Sequence, residues 1–401
     1  MRLLHVLPSV DPRGGGPIEG VRQRGRCLQR RGHAVELLSL DAPDAVAADA
    51  DLPVHALGPS SLGSYRYNRR LVPWLREHAS RYDAVIVHGL WNYHAFGAWR
   101  ALRASAVPYY VFVHGMLDPW FKRRYPLKHL KKWLYWPWAD YRVLRDAQAV
   151  VFTCEQERRL ARESFGLYRA REAVASYGTA TPPQDAERLR EGFFALHPAL
   201  RGKRLLLFVG RLHEKKGCDL LVEAFARVAA SDASLHLVMA GPDQTGWLAR
   251  LREQAARLGA SERITWPGML QGDAKWGAFH AAEAFVLPSH QENFGIVVAE
   301  ALGCGVPVLI SDQVNIWREV EAARAGLVAP DTLAGCTDLL RRWLALPPAA
   351  QAQMRIDARR AFEAHFTVEA MADSLLEILA GRTPTPPTPG LAVERARGAA
   401  R

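Results

Sequence analysis

The sequence lacks paired cysteines and long apolar runs. Its 401 residues include five scattered cysteines and no C-x-x-C pair, which argues against a zinc site and a disulfide framework and fits a reducing compartment. The longest apolar stretch, residues 294–310, contains Glu300, so no segment reaches membrane-spanning length. Residues 1–10 superficially resemble a signal peptide, but His5 and Pro8 interrupt the apolar part, and a first β-strand is the better prediction.

Two common nucleotide-binding motifs are also absent. The glycines at 14–16 do not complete a G-x-G-x-x-G motif, because the third glycine position is Glu19, and NAD binding is therefore not favoured. The chain has no G-x4-G-K-[S/T] sequence, which excludes a P-loop. Asp49 and Asp51 form a D-x-D pair, but their low-complexity surroundings favour an ordinary loop over a metal site.

Length and charge narrow the class of protein. At 401 residues the chain is longer than one ordinary hydrophobic core, and two domains are therefore expected. Its 52 lysines and arginines exceed its 41 aspartates and glutamates, and the formal charge of +11 indicates an anionic partner. A membrane surface, a nucleic acid or a phosphorylated substrate would each match that charge.

Short apolar runs alternate with helical patterns along most of the chain. This alternation predicts an α/β fold of two doubly wound, Rossmann-like domains with parallel sheets. Residues 41–59 are predicted as a loop, residues 176–184 as a linker, and the Thr-Pro-rich residues 382–401 as a disordered tail. The predicted strands are residues 3–10, 33–40, 84–88, 109–114, 149–153, 204–209, 235–240, 264–266, 284–287, 306–310 and 326–328.

One predicted strand–loop–helix–strand unit, residues 284–310, carries two carboxylates eight positions apart. Glu292 lies in the loop and Glu300 in the helix, which begins near Gly295. A helix start offers unpaired backbone N–H groups and a positive dipole end, and a glycine there lets a phosphate approach closely. The unit is a candidate for holding a polyhydroxyl group beside a phosphate, although two solvated carboxylates on an ordinary connection would show the same spacing.

A second candidate is the basic loop at residues 210–217, which connects a predicted buried strand to a helix. Arg211 offers a planar fork of donors and Lys216 a mobile point charge, a pair that suits a pyrophosphate group. A solvated basic turn is the competing interpretation, and the loop alone does not decide between the two.

Two further candidates are the histidines that end predicted parallel strands, His88 and His114. A single such histidine would usually be structural, but two at the carboxyl ends of neighbouring strands indicate a ligand-binding crevice. The glycines at 14–16 follow the first predicted strand, and we interpret them as a flexible loop that faces a ligand. A plain glycine-rich turn is the alternative.

Residues 119–145 interleave basic and aromatic side chains, and Asp140 is their only acidic residue. Three interpretations stay open: an interfacial segment on an anionic bilayer, a surface that binds nucleic acid, or a solvated helix whose aromatic residues pack inward. The candidates for facing a membrane are Lys128, Lys131, Lys132 and Trp133.

These motifs together resemble one family. Residues 292–300 resemble the E-x7-E signature, and residues 210–217 the G-R-x4-K-G motif, of the retaining, nucleotide-sugar-dependent glycosyltransferases of family 4. The resemblance is strongest from Phe208 to Val328, and it implies the GT-B architecture, in which two Rossmann-like domains face each other across a cleft. The expected parts are a first domain at residues 1–180, a second at 181–365, and a terminal helix at 366–381 that crosses back to the first domain.

The resemblance also implies residue roles. Arg211, Lys216 and the backbone amides near Gly295 would hold a leaving diphosphate. Glu300 would accept hydrogen bonds from the ribose hydroxyls, and Glu292 would hold hydroxyls of the donor sugar without acting as a covalent nucleophile. His114 would bind near that sugar, with His88 as a second candidate. The catalytic candidates are His114, Glu292, Arg211 and Lys216, and the donor-binding candidates are Asn293, Phe294, Gly295, Glu300, Gly15, Gly16, Met269 and Leu270.

The expected reaction is transfer of a sugar, with retained anomeric configuration, from a UDP- or GDP-linked donor to a saccharide or lipid-linked acceptor. Residues 115–120 also resemble members that build bacterial surface polysaccharides, which suggests exopolysaccharide or lipopolysaccharide biosynthesis. No metal is expected, because the positive clamp could replace one. No cofactor and no nucleic-acid partner are expected either. We expect a cytoplasmic location, with peripheral association to an anionic membrane as an open option.

Two other functions stay open. A nucleotide-sugar epimerase of the same architecture would use a similar site without an acceptor. A basic membrane- or RNA-binding module without catalysis would depend on the lysines of residues 119–145 rather than on Arg211 or Glu292.

Overall fold

The computed structural model describes residues 1–11, 16–46, 52–230 and 232–382. These residues form two compact units, each built on its own parallel β-sheet. The first unit comprises residues 1–178 and a C-terminal segment that begins at Val368, and the second comprises residues 179–367. The predicted α/β class with two doubly wound sheets is confirmed. The predictions for Gly15, for Asp49 and Asp51, and for the tail beyond Arg382 fall outside the described residues.

Seven parallel strands form the sheet of the first unit. They are β1 (Arg2–Val6), β2 (Ala34–Ser39), β3 (Val54–Ala56), β4 (Ala84–His88), β5 (Tyr109–Phe112), β6 (Ala149–Phe152) and β7 (Glu172–Val174). Their order is β3-β2-β1-β4-β5-β6-β7, so the direction of winding reverses between β1 and β4. Open α/β sheets bind ligands at the carboxyl ends of the strands beside such a switch point.

The helices of the first unit cover both faces of its sheet. They are α1 (Gly16–Arg30), α2 (Leu71–His78), α3 (Tyr93–Leu102), α4 (Trp120–Arg124), α5 (Pro126–Tyr135), α6 (Asp140–Asp146), α7 (Glu155–Ala161) and, numbered after the helices of the second unit, α16 (Val368–Leu379). Because helices cover the sheet, every residue of β4, β5 and β6 is buried, which explains their continuous apolar sequences. Helix α16 packs against α1, and the Ser176 N–H donates to Ser374 Oγ at 3.0 Å.

Six parallel strands form the sheet of the second unit. They are β8 (Arg204–Val209), β9 (Leu235–Ala240), β10 (Ile264–Gly268), β11 (Ala284–Leu287), β12 (Val308–Ser311) and β13 (Gly326–Ala329). Their order is β10-β9-β8-β11-β12-β13, which puts the switch point between β8 and β11. The helices are α8 (Ala186–Leu196), α9 (Cys218–Ala229), α10 (Trp247–Arg257), α11 (Gly272–Ala281), α12 (Ile296–Gly303), α13 (Trp317–Ala322), α14 (Leu333–Ala345) and α15 (Pro348–His365).

The structure corrects the strand predictions at the margins of the first sheet. Strand β3 lies within residues 41–59, which were predicted as a loop, and β7 was not predicted. Both have three residues, each only partly buried, so neither shows the continuous apolar run that marks a covered strand. The strand predicted at residues 3–10 ends at Val6, before Pro8, which has no N–H to donate to a neighbouring strand.

Two further findings concern the described part of the chain. No helix there is both long and apolar enough to cross a membrane. All five cysteines are free thiols, and only Cys304 is not fully buried.

Candidate active site

In the second unit, the loop after β8 packs tightly against the ends of β9 and β11. Gly217 has φ 62°, and a Cβ there would lie 2.2 Å from the Pro288 carbonyl oxygen. Gly241 has φ 150°, and a Cβ there would lie 1.7 Å from the Gly210 carbonyl oxygen. Any larger side chain would force these backbones apart, so both glycines are required by close approach as well as by conformation. The packing fixes the loop that carries Arg211 and Lys216.

Lys216 and Glu292 form an ion pair, although 76 residues separate them. Their side chains keep only 14% and 17% of their surface exposed. Burial, together with the charges of Lys215 and Arg211, lowers the pKa of Lys216 to about 7, and the carboxylate of Glu292 acts in the opposite direction. Arg211 is exposed. Because the pKa of Lys216 is near neutral pH, a bound anion would stabilise the charged form of this lysine.

Helix α12 begins directly after Gly295, which has φ 76°. The Glu292 N–H donates to the Gln313 carbonyl oxygen, and the Asn315 N–H donates to the Glu292 carbonyl oxygen, both at 3.0 Å, so the backbone of Glu292 is held on both sides. Phe294 is buried, whereas Asn293 is partly exposed. The first backbone N–H groups of a helix have no partner within it and attract anions, so this helix start is suited to a phosphate.

Glu300, on α12, is 6% exposed and forms an ion pair with Lys275 of α11, at 2.8 Å between Oε1 and Nζ. Lys275 was not a candidate from the sequence, because no motif surrounds it and it lies 25 residues before Glu300. The pairing gives this deeply buried carboxylate an opposite charge at hydrogen-bonding distance. Glu300 and Glu292 therefore each have a different lysine partner.

Met269 and Leu270 follow directly after β10, at the carboxyl end of the same sheet. Met269 is 60% exposed, and Leu270 is partly buried. The Gly241 N–H donates to the Gly268 carbonyl oxygen at 2.8 Å, which joins the ends of β9 and β10. The role of Met269 and Leu270 in donor binding stays a prediction.

In the first unit, His114 lies just beyond β5 in a left-handed backbone conformation, with φ 48°. The next residue, Gly115, donates its N–H to Glu157 Oε1 at 2.5 Å. Glu157 is buried and also accepts from the N–H and hydroxyl of Thr153, at 2.6 and 2.7 Å. Glu157 was not a candidate from the sequence. Its carboxylate connects the turn that carries His114 to the end of β6.

His114 belongs to a line of hydrogen-bonded histidines. Its Nε2 lies 2.9 Å from His88 Nδ1, and His88 Nε2 lies 2.8 Å from His5 Nδ1. His94 Nε2 lies 2.8 Å from the His88 carbonyl oxygen, so this nitrogen carries the proton. Burial and the charge of Arg24 lower the pKa of His114 to about 3, and burial lowers the pKa of His88 and His5 well below the usual range. His5, which lies inside β1, was not a candidate from the sequence.

The glycine-rich loop is described only from its last residue. Gly16 is the first residue of α1. Gly20, one turn further along the helix, faces Tyr177, because a Cβ there would lie 2.0 Å from the tyrosine hydroxyl. Arg24 on the same helix is fully buried, with Cζ 4.6 Å from the centre of the Phe112 ring.

The basic aromatic segment, residues 119–145, divides into inward and outward faces. Lys132 Nζ lies 4.2 Å from the centre of the Trp91 ring, and burial lowers the pKa of this lysine to about 8. Trp133 is partly buried against Phe165, at 5.6 Å between ring centres. Lys128 and Lys131, in contrast, are exposed.

Two family models match the chain, one for each unit. Residues 15–178 match the model described as a glycosyl transferase 4-like domain. Residues 192–361 match the model described as glycosyl transferases group 1. The second match includes the basic loop, both glutamates of the E-x7-E motif and Lys275, and the first includes His88, His114 and Glu157.

Similar proteins include sequence relatives and solved structures. The D-inositol 3-phosphate glycosyltransferase of Rhodococcus erythropolis is 29% identical over 60% of this chain and 55% of that enzyme, so the chain spans about half the length of the relatives it matches. Sucrose-phosphate synthase from Thermosynechococcus elongatus has a TM-score of 0.74 at 20% identity, covering 95% of this chain and 99% of that one. HepE of Anabaena, solved in complex with UDP-glucose, has a TM-score of 0.72 at 19% identity, covering 95% and 100%. At these identities the structural likeness shows the fold.

Proposed function

Because the chain belongs to the group 1 glycosyltransferases, we propose that it transfers a sugar from a nucleoside diphosphate sugar to an acceptor, with retention of anomeric configuration. The observation that carries the proposal is the arrangement at the β8–β11 switch point. There a lysine whose side chain is only 14% exposed, a basic loop and a helix start lie beside a carboxylate, and a second carboxylate, which is buried, follows on α12. A nucleoside diphosphate sugar has groups that match these features: an anionic diphosphate for the positive groups, and hydroxyls on the ribose and on the donor sugar for the two carboxylates.

Cleavage of the donor leaves negative charge on the diphosphate and positive charge on the sugar. Arg211, Lys216 and the backbone N–H groups at the start of α12 would stabilise the leaving diphosphate. Glu292 would hold hydroxyls of the donor sugar, and its ion pair with Lys216 keeps the two groups side by side. In this scheme Arg211, Lys216 and the helix start supply the positive charge that a metal would supply elsewhere, so we expect no metal requirement.

The second carboxylate would recognise the nucleoside. Glu300 is buried and ion-paired with Lys275, which favours its ionised form. An ionised carboxylate accepts hydrogen bonds strongly, and the two ribose hydroxyls are suitable donors. Met269 and Leu270 would contact the base, and His114 would hydrogen-bond the sugar. UDP is the first nucleotide to test, because HepE was solved with UDP-glucose.

The acceptor that we propose is a saccharide or a lipid-linked saccharide, in the biosynthesis of exopolysaccharide or lipopolysaccharide. The support is the resemblance of residues 115–120 to members that build surface polysaccharides. Five free thiols agree with the reducing, cytoplasmic location that we propose. An acceptor-dependent product would distinguish a transferase from an epimerase, which needs no acceptor.

Thermal unfolding with UDP, GDP, ADP, CMP and NAD, first in EDTA and then with Mg²⁺, tests the donor site. A ligand at about one hundred times its dissociation constant adds about 2.7 kcal/mol of stability, and each kcal/mol raises the melting temperature by about 2–4 °C. We expect one nucleoside diphosphate to stabilise the protein in EDTA, and Arg211→Ala and Glu300→Ala to abolish that effect. A response to NAD alone, or to no diphosphate, would contradict the proposal.

We also propose that α5 rests on an anionic membrane surface. Leu127, Leu130 and Leu134 recur at helical spacing and are 78%, 60% and 73% exposed. Exposed Lys128 and Lys131 lie between them. Leucines that enter the acyl boundary beside lysines that meet lipid phosphates suit a bilayer containing anionic lipid.

Sedimentation with liposomes tests this surface. The protein should sediment with vesicles that contain phosphatidylglycerol and much less with pure phosphatidylcholine, and Leu130→Ser/Leu134→Ser should stay in the supernatant. Leu258→Ser is the matched control, because Leu258 is an exposed leucine, at 42%, in the second unit. Equal sedimentation with both vesicle types, or an equal loss in the control, would contradict a lipid-binding role for α5.

A further inference from the structure

His5, His88 and His114 lie on, or just beyond, three adjacent strands and form a continuous hydrogen-bonded line. We call this line the histidine ladder. The line crosses the switch point of the first unit, because β1, β4 and β5 are neighbours in its sheet. The His5 and His88 rings lie edge to edge with centres 5.1 Å apart and planes 18° apart, and the His88 and His114 rings with centres 5.2 Å apart and planes 21° apart. Two hydrogen bonds, at 2.8 and 2.9 Å, connect the three rings in series.

The ladder is neutral. Burial and the nearby positive charge of Arg24 lower the pKa of all three rings. The other titratable groups around them are His94 from α3 and Tyr177, whose ring centre lies 6.2 Å from that of His114. Glu157 from α7 bonds the backbone beside His114 rather than a ring of the ladder. Each ring therefore carries one N–H and one lone pair.

Only two proton arrangements satisfy both hydrogen bonds of a neutral ladder. In the first, all three rings carry the proton on Nδ1, and each bond is donated in the direction from His5 towards His114. In the second, all three carry it on Nε2, and each bond is donated in the opposite direction. The two arrangements give His114 opposite properties at Nδ1, which is a donor in the first and an acceptor in the second.

The inner end of the ladder decides between them. His5 Nε2 is buried and has no hydrogen-bond partner among the described residues. The second arrangement would leave an N–H donor buried there, whereas the first leaves only a lone pair. Buried N–H groups without partners are rarer than under-satisfied acceptors, and an unpaired buried donor is costly. The first arrangement is therefore the more stable one.

We propose that His5 and His88 are positioning residues, which hold His114 as its Nδ1–H tautomer, so that His114 donates a hydrogen bond to an oxygen of the substrate. The proposal rests on the proposed function for the identity of that substrate, a nucleotide sugar. His114 Nδ1 makes no hydrogen bond within the described residues, and the residue is partly exposed, so this nitrogen is the one that a ligand can reach. A neutral donor stabilises an oxygen that gains negative charge, and it cannot serve as a general base.

Nitrogen NMR of the ligand-free full chain, labelled with 15N-histidine, tests the tautomer directly. The His114 signals are identified by their loss in His114→Gln. At pH 7.5 we expect a protonated Nδ1 and an unprotonated Nε2 in His114, and the same pattern in His88. A protonated Nε2 in His114 would overturn the proposal, whatever the activity of the protein.

Two substitutions of His5 separate positioning from structure. In His5→Asn the side-chain amide would lie where the imidazole Nδ1 lies now, so this change keeps a donor towards His88, whereas His5→Leu removes it. We expect His5→Asn to keep the Nδ1–H tautomer of His114, and His5→Leu to give mixed tautomers and a kcat/KM about 5- to 10-fold lower, the factor of one neutral hydrogen bond. Equal activity loss in both variants with an unchanged tautomer would show a structural role and overturn the proposal.

The NMR measurement and the thermal unfolding with nucleotides together separate this proposal from the proposed function. If His114 shows the Nδ1–H tautomer but no nucleoside diphosphate stabilises the protein, the proposed function fails and the ladder stands. If a diphosphate binds but His114 carries its proton on Nε2, the ladder proposal fails and the proposed function stands.

Discussion

The switch points of the two sheets hold opposite kinds of polar network. In the first unit, the carboxyl ends of β1, β4 and β5 carry the neutral histidine ladder, whose only nearby cation among the described residues is a buried arginine. In the second, the loops after β8 and β11 carry an ion pair, and α12 carries another. A neutral network fixes the direction of each hydrogen bond. A network of ion pairs instead holds charges that an incoming anion can share. The same sheet topology therefore supports two different kinds of ligand contact.

Acid should distinguish the two units most strongly. The ladder histidines have folded pKa values below the ordinary 6.5, at about 3 for His114, so below pH 6.5 the unfolded chain binds more protons and stability falls. At pH 5.5 each neutral histidine costs about 1.4 kcal/mol, or about 4 kcal/mol for the three. Hydrogen exchange at pH 7 and 5.5 should show β1, β4 and β5 losing more protection than β8 and β11.

A matched variant checks the assignment to the ladder. His236 lies in β9, and burial lowers its pKa to about 4. His236→Gln should reduce by about one the number of protons that the second unit takes up on unfolding in acid, so the stability of this unit should depend less on pH. The pH dependence of the first unit should stay unchanged. Equal loss of protection in the two units of the unaltered protein would contradict the comparison.

Removing one charge from the Lys216–Glu292 pair should have the next largest effect. Lys216→Met keeps the length of the side chain but leaves the Glu292 carboxylate largely buried without its partner. We expect a loss of about 3 kcal/mol in the free energy of unfolding, the lower end for a broken buried pair, and a kcat about 10²- to 10³-fold lower. Urea unfolding and steady-state kinetics measure the two effects.

Arg211→Gln is the control for Lys216→Met. Arg211 is exposed, so this change should alter stability by less than about 0.5 kcal/mol while it weakens the response to nucleoside diphosphate. If Lys216→Met left stability unchanged as well, the ion pair would not be a structural feature of the ligand-free protein.

Substitution of Gly217 tests whether the basic loop depends on close packing. Gly217→Ala would introduce a Cβ 2.2 Å from the Pro288 carbonyl oxygen, and we expect a loss of about 2–3 kcal/mol from overpacking and backbone strain. Gly246 has a similar φ of 75° but nothing within 4 Å of the added atom. Gly246→Ala should therefore cost only about 1 kcal/mol, and equal losses in thermal unfolding would rule out the contact as the cause.

The smallest expected effect concerns Lys275. Lys275→Met removes the partner of Glu300, so protonation of that carboxylate becomes easier and its pKa should rise. Stabilisation by nucleoside diphosphate should then fall by about 1 kcal/mol at pH 6 and recover towards pH 8, as measured by thermal unfolding. A response independent of pH would mean that Glu300 does not need Lys275 to stay ionised.

The sequence predicted the interior of the second sheet well. The strands predicted at 204–209, 235–240 and 284–287 have the same bounds in the structure, because parallel strands covered on both faces need continuous apolar sequences. It also placed Gly295 at the start of a helix. Short, partly buried strands such as β3 left no such pattern, which is why they were missed.

The sequence by itself determined local features. These are the spacing of apolar residues in strands and helices, the positions where helices begin, and the glycines that lie beside charged residues. These follow from backbone geometry and from which faces an element buries, and they were enough for the fold class and the family resemblance. What only the tertiary structure decided were the partners. Lys275 with Glu300, Gly115 with Glu157, and His5 with His88 are 25, 42 and 83 residues apart. The free energy of such pairs depends on which strands the fold makes neighbours and how far it excludes water, and neither is encoded in the residues around one position.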